Sequence, residues 1–239
     1  MDGYELAGRF SYITNALKYC GPEGGHMHFH KYISEKHLES KDKIVEAIKK
    51  FEALYPYLTM IAEKTGKDFL DYDVVEAYWM GNELLEKFNG EDMKHLINSL
   101  VKRGLPEQMG NKLIEKMPLL AIPFHAFHVF YVGVGNVTGH VKTTVQNMDN
   151  CRISIGEINQ IIDTHLIVST DAIVESEGKI SLEETTKTII YIPELLPDVK
   201  IGDIIAIHWG FACKKLDGRE MENIKKYTKL SIEMKNSVV

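Results

Sequence analysis

Through most of the first half of the chain, apolar residues recur with the period of an α-helix. In residues 43–63, Ile44, Ile48, Phe51, Tyr55, Leu58 and Ile61 fall on one stripe, and Pro56 is expected to kink the helix or divide it. Residues 73–88 read as a second helix, with Val74, Val75, Tyr78, Trp79, Leu85 and Phe88 on a broad face and Asp71 or Asp73 as its cap. Two shorter helices follow. Residues 91–102 carry Met93, Leu96, Ile97 and Leu100, while residues 107–117 begin just after Pro106 and carry Met109, Leu113 and Met117. The pattern changes after Pro118. Residues 127–134 form a short apolar run rich in β-branched and aromatic side chains, which predicts a buried strand. A glycine-bounded turn would lead it back into Val141, Thr143 and Val145, which alternate with polar neighbours as the partner strand of a β-hairpin. Residues 146–150 read as a polar turn. Beyond them, short runs of Ile, Val and Thr divided by turn signals at Glu177-Gly178, Pro193, Pro197-Asp198 and Gly202-Asp203 predict a small barrel. Asp217 then caps a final amphipathic helix over residues 217–229, bearing Met221, Ile224 and Tyr227 or Thr228. The expected fold is α+β: a mainly helical domain with a terminal β-hairpin over residues 1–147, then a small OB-like β-barrel with a C-terminal helix over residues 148–239.

Composition narrows the function classes. The chain has 239 residues, 44% hydrophobic and 26% charged, and so is expected to fold throughout. Its net charge of -6 offers no basic field to neutralise phosphates, which speaks against nucleic acid as the partner. No apolar run reaches the roughly 18 to 20 residues of a membrane span, and the N-terminus lacks the pattern of a signal peptide, so a cytoplasmic protein with no membrane partner is expected. Cys20, Cys151 and Cys213 are odd in number and far apart. That points to thiols in a reducing compartment, each needing its own explanation.

The most specific chemical signal lies in the second half. Cys151 is followed by an apolar segment and Gly156; later Val199, Gly202, Asp203, an apolar alternation, His208, Gly210, Phe211, Ala212, Lys215 and Asp217 recur at fixed spacing. These two motifs resemble those of the HypC/HupF hydrogenase maturation chaperones, over about residues 151–236. The family's cysteine directly follows the initiator methionine, whereas Cys151 follows a whole domain. The resemblance implies a small barrel that handles an iron centre with cyanide and carbon monoxide ligands alongside a larger maturation partner. It places the metal-handling roles on Cys151 and His208, and partner contacts on Gly156, Gly210 and Phe211. A thiolate is a strongly donating ligand for iron and an imidazole can join it, so the pair makes chemical sense as a metal clasp. The alternative is structural: Cys151 as a small core residue and His208 as part of the barrel wall. Cys213 reads as core.

The helical half offers further candidates. His26, His28 and His30 would align on one face if extended, a possible zinc or iron surface, and are otherwise a solvated histidine cluster. His125 and His128 would share a face on a helix, but on the expected strand they point apart. Cys20 sits in a glycine-rich turn that lacks the lysine and hydroxyl of a phosphate loop. Glu76, Tyr78, Trp79 and Asn82 could line a partner groove or pack as core. The stretches 8–15, 19–23, 75–82 and 123–130 look like signatures of an uncharacterised prokaryotic family in which a helical domain precedes a HypC-like one. The expected function is a hydrogenase-maturation-type accessory protein that binds an iron fragment or a maturation partner, with homo-oligomerisation possible. The alternatives are a metal-dependent enzyme using the histidines of the helical half and a barrel-type binding module without metal.

Overall fold

A computed structural model describes residues 1–36 and 40–238. The helical half comprises α1 (Gly3–Ala16), α2 (Gly25–Glu35), α3 (Lys41–Lys49), α4 (Leu54–Thr65), α5 (Tyr72–Trp79), α6 (Gly90–Val101) and α7 (Glu107–Glu115). The apolar stripe of residues 43–63 is divided between α3 and α4, and Pro56 sits in the first turn of α4, where its missing N–H breaks no helical bond. Asp71 caps α5 by accepting from the Asp73 amide. The expected continuation of this helix to Phe88 fails at Met80 and Gly81. Both amides close back on the Glu76 carbonyl, at 2.8 and 2.9 Å, and Gly81 takes a left-handed φ of +85°. Asn82 then starts a separate 3-10 turn, Glu83–Lys87.

The expected β-hairpin is absent. Residues 127–134 instead contribute to a short helical turn α8 (His125–Phe127) that runs into a π-helical segment, His128–Gly133. Every residue from His125 to Val134 is buried. A segment enclosed on all sides has no polar face, so its sequence carries no period to separate helix from strand. Residues 141–144 form no strand, and the polar stretch read as a turn is α9 (Val145–Cys151), capped by the Thr144 hydroxyl.

Five strands follow: β1 (Ser154–Ile162), β2 (His165–Ser176), β3 (Lys179–Ile190), β4 (Ile204–His208) and β5 (Phe211–Lys215). They pair in the order β1-β2-β3-β5-β4, and β4 returns antiparallel to β1, so the pairings close on themselves. The β3 to β5 junction is the thin point, a single parallel pair of Ile190 with Phe211. Ile158, Leu166, Val168, Ile189, Ile205 and Ile207 fill the interior. Gly156 belongs to that interior, where a Cβ would stand 2.7 Å from Ile207 Cδ1. Glu177 and Gly178, both at positive φ, make the two-residue turn between β2 and β3, as the sequence signalled. The chain closes with α10 (Gly218–Ser237), started by a reciprocal capping box between Asp217 and Glu220.

The outer face of the sheet and α10 pack on the helical half through one continuous apolar core that joins Phe10, Trp79 and Phe127 with Ala206, Phe211, Ile224 and Tyr227. Polar contacts knit the same seam. Arg219 pairs with buried Glu76 at 2.6 Å, the Tyr227 hydroxyl donates to the Asn82 carbonyl at 2.9 Å, and Asn223 donates to the Gly81 carbonyl at 2.9 Å. Gly81 lies directly under α10, and a Cβ there would stand 2.1 Å from the Tyr227 ring. Gly81→Ala therefore combines a strained backbone with a clash at the seam. It should lower the unfolding free energy by at least about 2 kcal/mol in urea denaturation; a loss under about 0.5 kcal/mol would contradict this packing.

Candidate metal centre

Strand alternation turns Ile205 and Ile207 into the closed sheet and Ala206 and His208 outward, against the helical half. His208 is thereby buried, at 1% exposure. It is followed by a two-residue turn, Trp209 and Gly210, both at positive φ, and its cross-strand partner is Phe211. A left-handed φ of +50° is costly for a tryptophan, and the Trp209 amide is held there by the Asn150 carbonyl at 2.7 Å. Cys151 ends α9. Next to it, Arg152 is fixed by Asp149 at 3.1 Å and by the Asp171 carbonyl at 2.6 Å, which clamps the end of this short helix onto β2. His125 comes from the turn α8.

These three side chains converge. The ligand atoms of His125, Cys151 and His208 lie within 4.8 Å of one another, the only such group of three or more among the described residues. Cys151 Sγ is 3.9 Å from His125 Nε2, and the two imidazole rings are 5.3 Å apart, edge to face. His208 Nδ1 lies 2.8 Å from the Phe10 carbonyl oxygen. A carbonyl can only accept, so Nδ1 carries the proton and the lone pair of the neutral ring is on Nε2. That Nε2 is buried and has no partner within hydrogen-bond geometry, the Cys151 carbonyl being its nearby polar neighbour. His125 Nε2 is 2.8 Å from the Cys151 carbonyl and its Nδ1 is 2.9 Å from the Tyr78 hydroxyl. Without metal, Nε2–H donates to that carbonyl and Nδ1 accepts from Tyr78. Tyr78 could accept from Nδ1–H instead, but that tautomer gives up the bond to the Cys151 carbonyl, so metal binding at Nε2 would have to break this 2.8 Å hydrogen bond.

Burial keeps the donors uncharged. Desolvation pulls the His208 pKa down to about 4, and it pulls His125 well below the ordinary imidazole value, with His208 as a second cause. The same effect pushes the Cys151 thiol far above its usual range. A thiol and two neutral imidazoles facing one point form a donor set for a borderline or soft transition metal, which would displace the thiol proton on binding. The cavity beside them is about 70 Å³ and is also lined by Trp79, Trp209, Leu54, Val134 and Val137.

The other sequence candidates divide around this centre. Cys20 lines the same cavity but lies outside the ligand group, and burial raises its thiol pKa to about 12. His26, His28 and His30 are not aligned: they lie on helix α2, where positions two apart point to different sides. His26 and His30 pack near Tyr12, at 6.1 and 6.2 Å between ring centroids, while His28 is exposed. His125 and His128 do not diverge from a strand; both line the cavity from helical turns, and His128 Nδ1 lies 3.3 Å from the Tyr57 hydroxyl. Phe211 is buried against Tyr12, 5.4 Å between rings, Gly156 is inside the sheet, and Gly210 faces open space. Cys213 is buried core. Sequence reasoning missed His125 as the third donor, and with it Tyr78, Trp79 and Trp209 as its surroundings. No spacing rule links His125 to Cys151 and His208; only the tertiary fold does.

Three buried neutral imidazoles make stability pH-dependent. The His128 pKa is also pulled down to about 4 by burial, as is that of His208, while an unfolded histidine titrates near 6.5. Between these values the unfolded chain binds more protons, so stability is full above about pH 6.5 and falls as pH drops toward 4. Thermal or urea unfolding across pH 7.5 to 4.5 should show this slope. His128→Gln should make it shallower by up to about 1.4 kcal/mol per pH unit, and an unchanged slope would show that the imidazole titrates normally.

No curated protein and no solved structure matches the chain. One family model matches residues 1–239, and the chain accordingly belongs to that family, described as a family of unknown function (DUF6390).

Proposed function

We propose that the protein is a cytoplasmic accessory factor of metallocentre assembly, which holds a small metal fragment at His125, Cys151 and His208 and passes it on with a protein partner. One observation carries this reading. Cys151 and His208, the two residues that the HypC/HupF resemblance assigns to metal handling, come from distant parts of the chain and lie with His125 within 4.8 Å. The donor set fits iron: a thiolate supplies strong donation, two imidazoles complete three positions, and a buried Nε2 has no other partner. Three protein donors leave further positions for ligands that travel with the metal, the iron-bound cyanide and carbon monoxide that the resemblance implies. The HypC-like barrel presents the site, and the helical half supplies His125 and most of the enclosing wall. Gly210, in an open turn, is the part of the motif that a partner can reach.

The same geometry favours one rival, a metal-dependent enzyme, because three protein donors beside a cavity also describe a catalytic zinc site. Metal analysis and infrared absorption on anaerobically purified protein, produced with hydrogenase maturation proteins, separate the two. An assembly factor should carry about one iron per chain with cyanide and carbon monoxide bands, both lost in Cys151→Ser while the thermal unfolding curve is kept. Stoichiometric zinc without bands would favour the enzyme. Metal-free wild-type protein would end both.

A further inference from the structure

Two residues that line the same cavity each carry a buried polar group without a partner. Besides His208 Nε2, the indole Nε1 of Trp79 is enclosed and makes no hydrogen bond. Trp79 is 3% exposed, and its ring lies 4.5 Å from that of His125 and 5.4 Å from that of His208, with Phe10 stacked on it at 5.2 Å. The two orphans are complementary, one an acceptor and one a donor. An indole N–H has no lone pair and cannot ligate a metal. A bare cation would satisfy His208 and leave the Trp79 N–H unpaired. A cation that carries a hydrogen-bond acceptor satisfies both groups, and leaving such a donor unpaired in a dry site costs far more than leaving it in water.

Resting on the metal reading above, we propose that Trp79 Nε1–H is the hydrogen-bond donor to a small acceptor-bearing anion, of the azide or cyanide class, bound to the metal held by His125, Cys151 and His208. The size of the cavity suits that class. At about 70 Å³ it is under half the roughly 150 Å³ of a cavity that admits benzene, and so it takes a ligand of two or three heavy atoms. Its apolar wall of Leu54, Val134, Val137 and Val141 offers nothing to a larger, hydrated anion. Trp79 is then a specificity-determining residue for the metal's own ligand and plays no part in holding the metal.

Full-length protein loaded with cobalt(II), with azide as the probe, tests this. Wild type and Trp79→Phe should both show the sulfur-to-cobalt absorption band, which Cys151→Ser lacks, with equal cobalt affinity. Azide should bind Trp79→Phe about tenfold more weakly, the loss of one hydrogen bond to an anion. A second measurement needs no change at Trp79: the chain has two tryptophans, so zinc-loaded wild type gives two indole N–H resonances, assigned with Trp209→Phe. Saturating azide should move that of Trp79 downfield. Equal azide affinity in both proteins, or an unmoved Trp79 resonance at saturation, would overturn the inference and leave the metal site intact. A missing cobalt band in wild type would instead remove the metal reading and this inference with it.

Discussion

The hydrogen bond from His208 Nδ1–H to the Phe10 carbonyl holds the last residue of β4 against the middle of α1, at 2.8 Å in an interior closed to water. It fixes the ring's orientation and tautomer together, so the remaining nitrogen is an acceptor turned toward Cys151 and His125. The neighbouring residue reinforces it. Arg9, paired with Glu5 at 2.7 Å, donates to the carbonyls of Leu195 and Cys213, so two consecutive residues of α1 hold β4 at His208 and its neighbour β5 at Cys213. Trp79 stacks on Phe10 and leans on both histidines, which makes the helical half the floor of a site whose other residues come from the end of α9 and the end of β4.

That dependence explains the irregular features near the centre. A left-handed tryptophan costs about 1 to 2 kcal/mol, yet Trp209 adopts this conformation to turn β4 into β5 directly after His208, and its ring comes to rest 4.5 Å from Tyr19. The π-helical segment begins at His128, three residues after His125, and such rare segments are frequent at functional sites. Two neutral imidazoles and a neutral thiol are held beside a largely apolar cavity with one nitrogen unpaired. Each feature is unfavourable alone, and binding a metal would relieve the last of them.

Sequence reading succeeded where the physics is local. α6, α7 and α10 show a helical period and a cap or a leading proline, and the turn between β2 and β3 is written in Glu177-Gly178. It failed where tertiary packing decides. Residues 127–134 are buried on every side and so have no period to read, and α9 is too short for one; the error over the first misplaced His125 and His128. Cys151 and His208 were singled out together only on a resemblance, since nothing in their spacing brings them together. The third donor was invisible because it depends on how α8 lies against the end of α9, a contact made by the folded chain.

X-ray absorption at the metal edge of the isolated, loaded protein addresses the central claim most directly, because it reads the donor atoms themselves. With zinc as the loaded metal, the account predicts one sulfur at about 2.3 Å and two imidazole nitrogens near 2.0 to 2.1 Å, with remaining scatterers belonging to small ligands. A shell of nitrogen and oxygen alone, with no sulfur, would contradict a centre built on His125, Cys151 and His208.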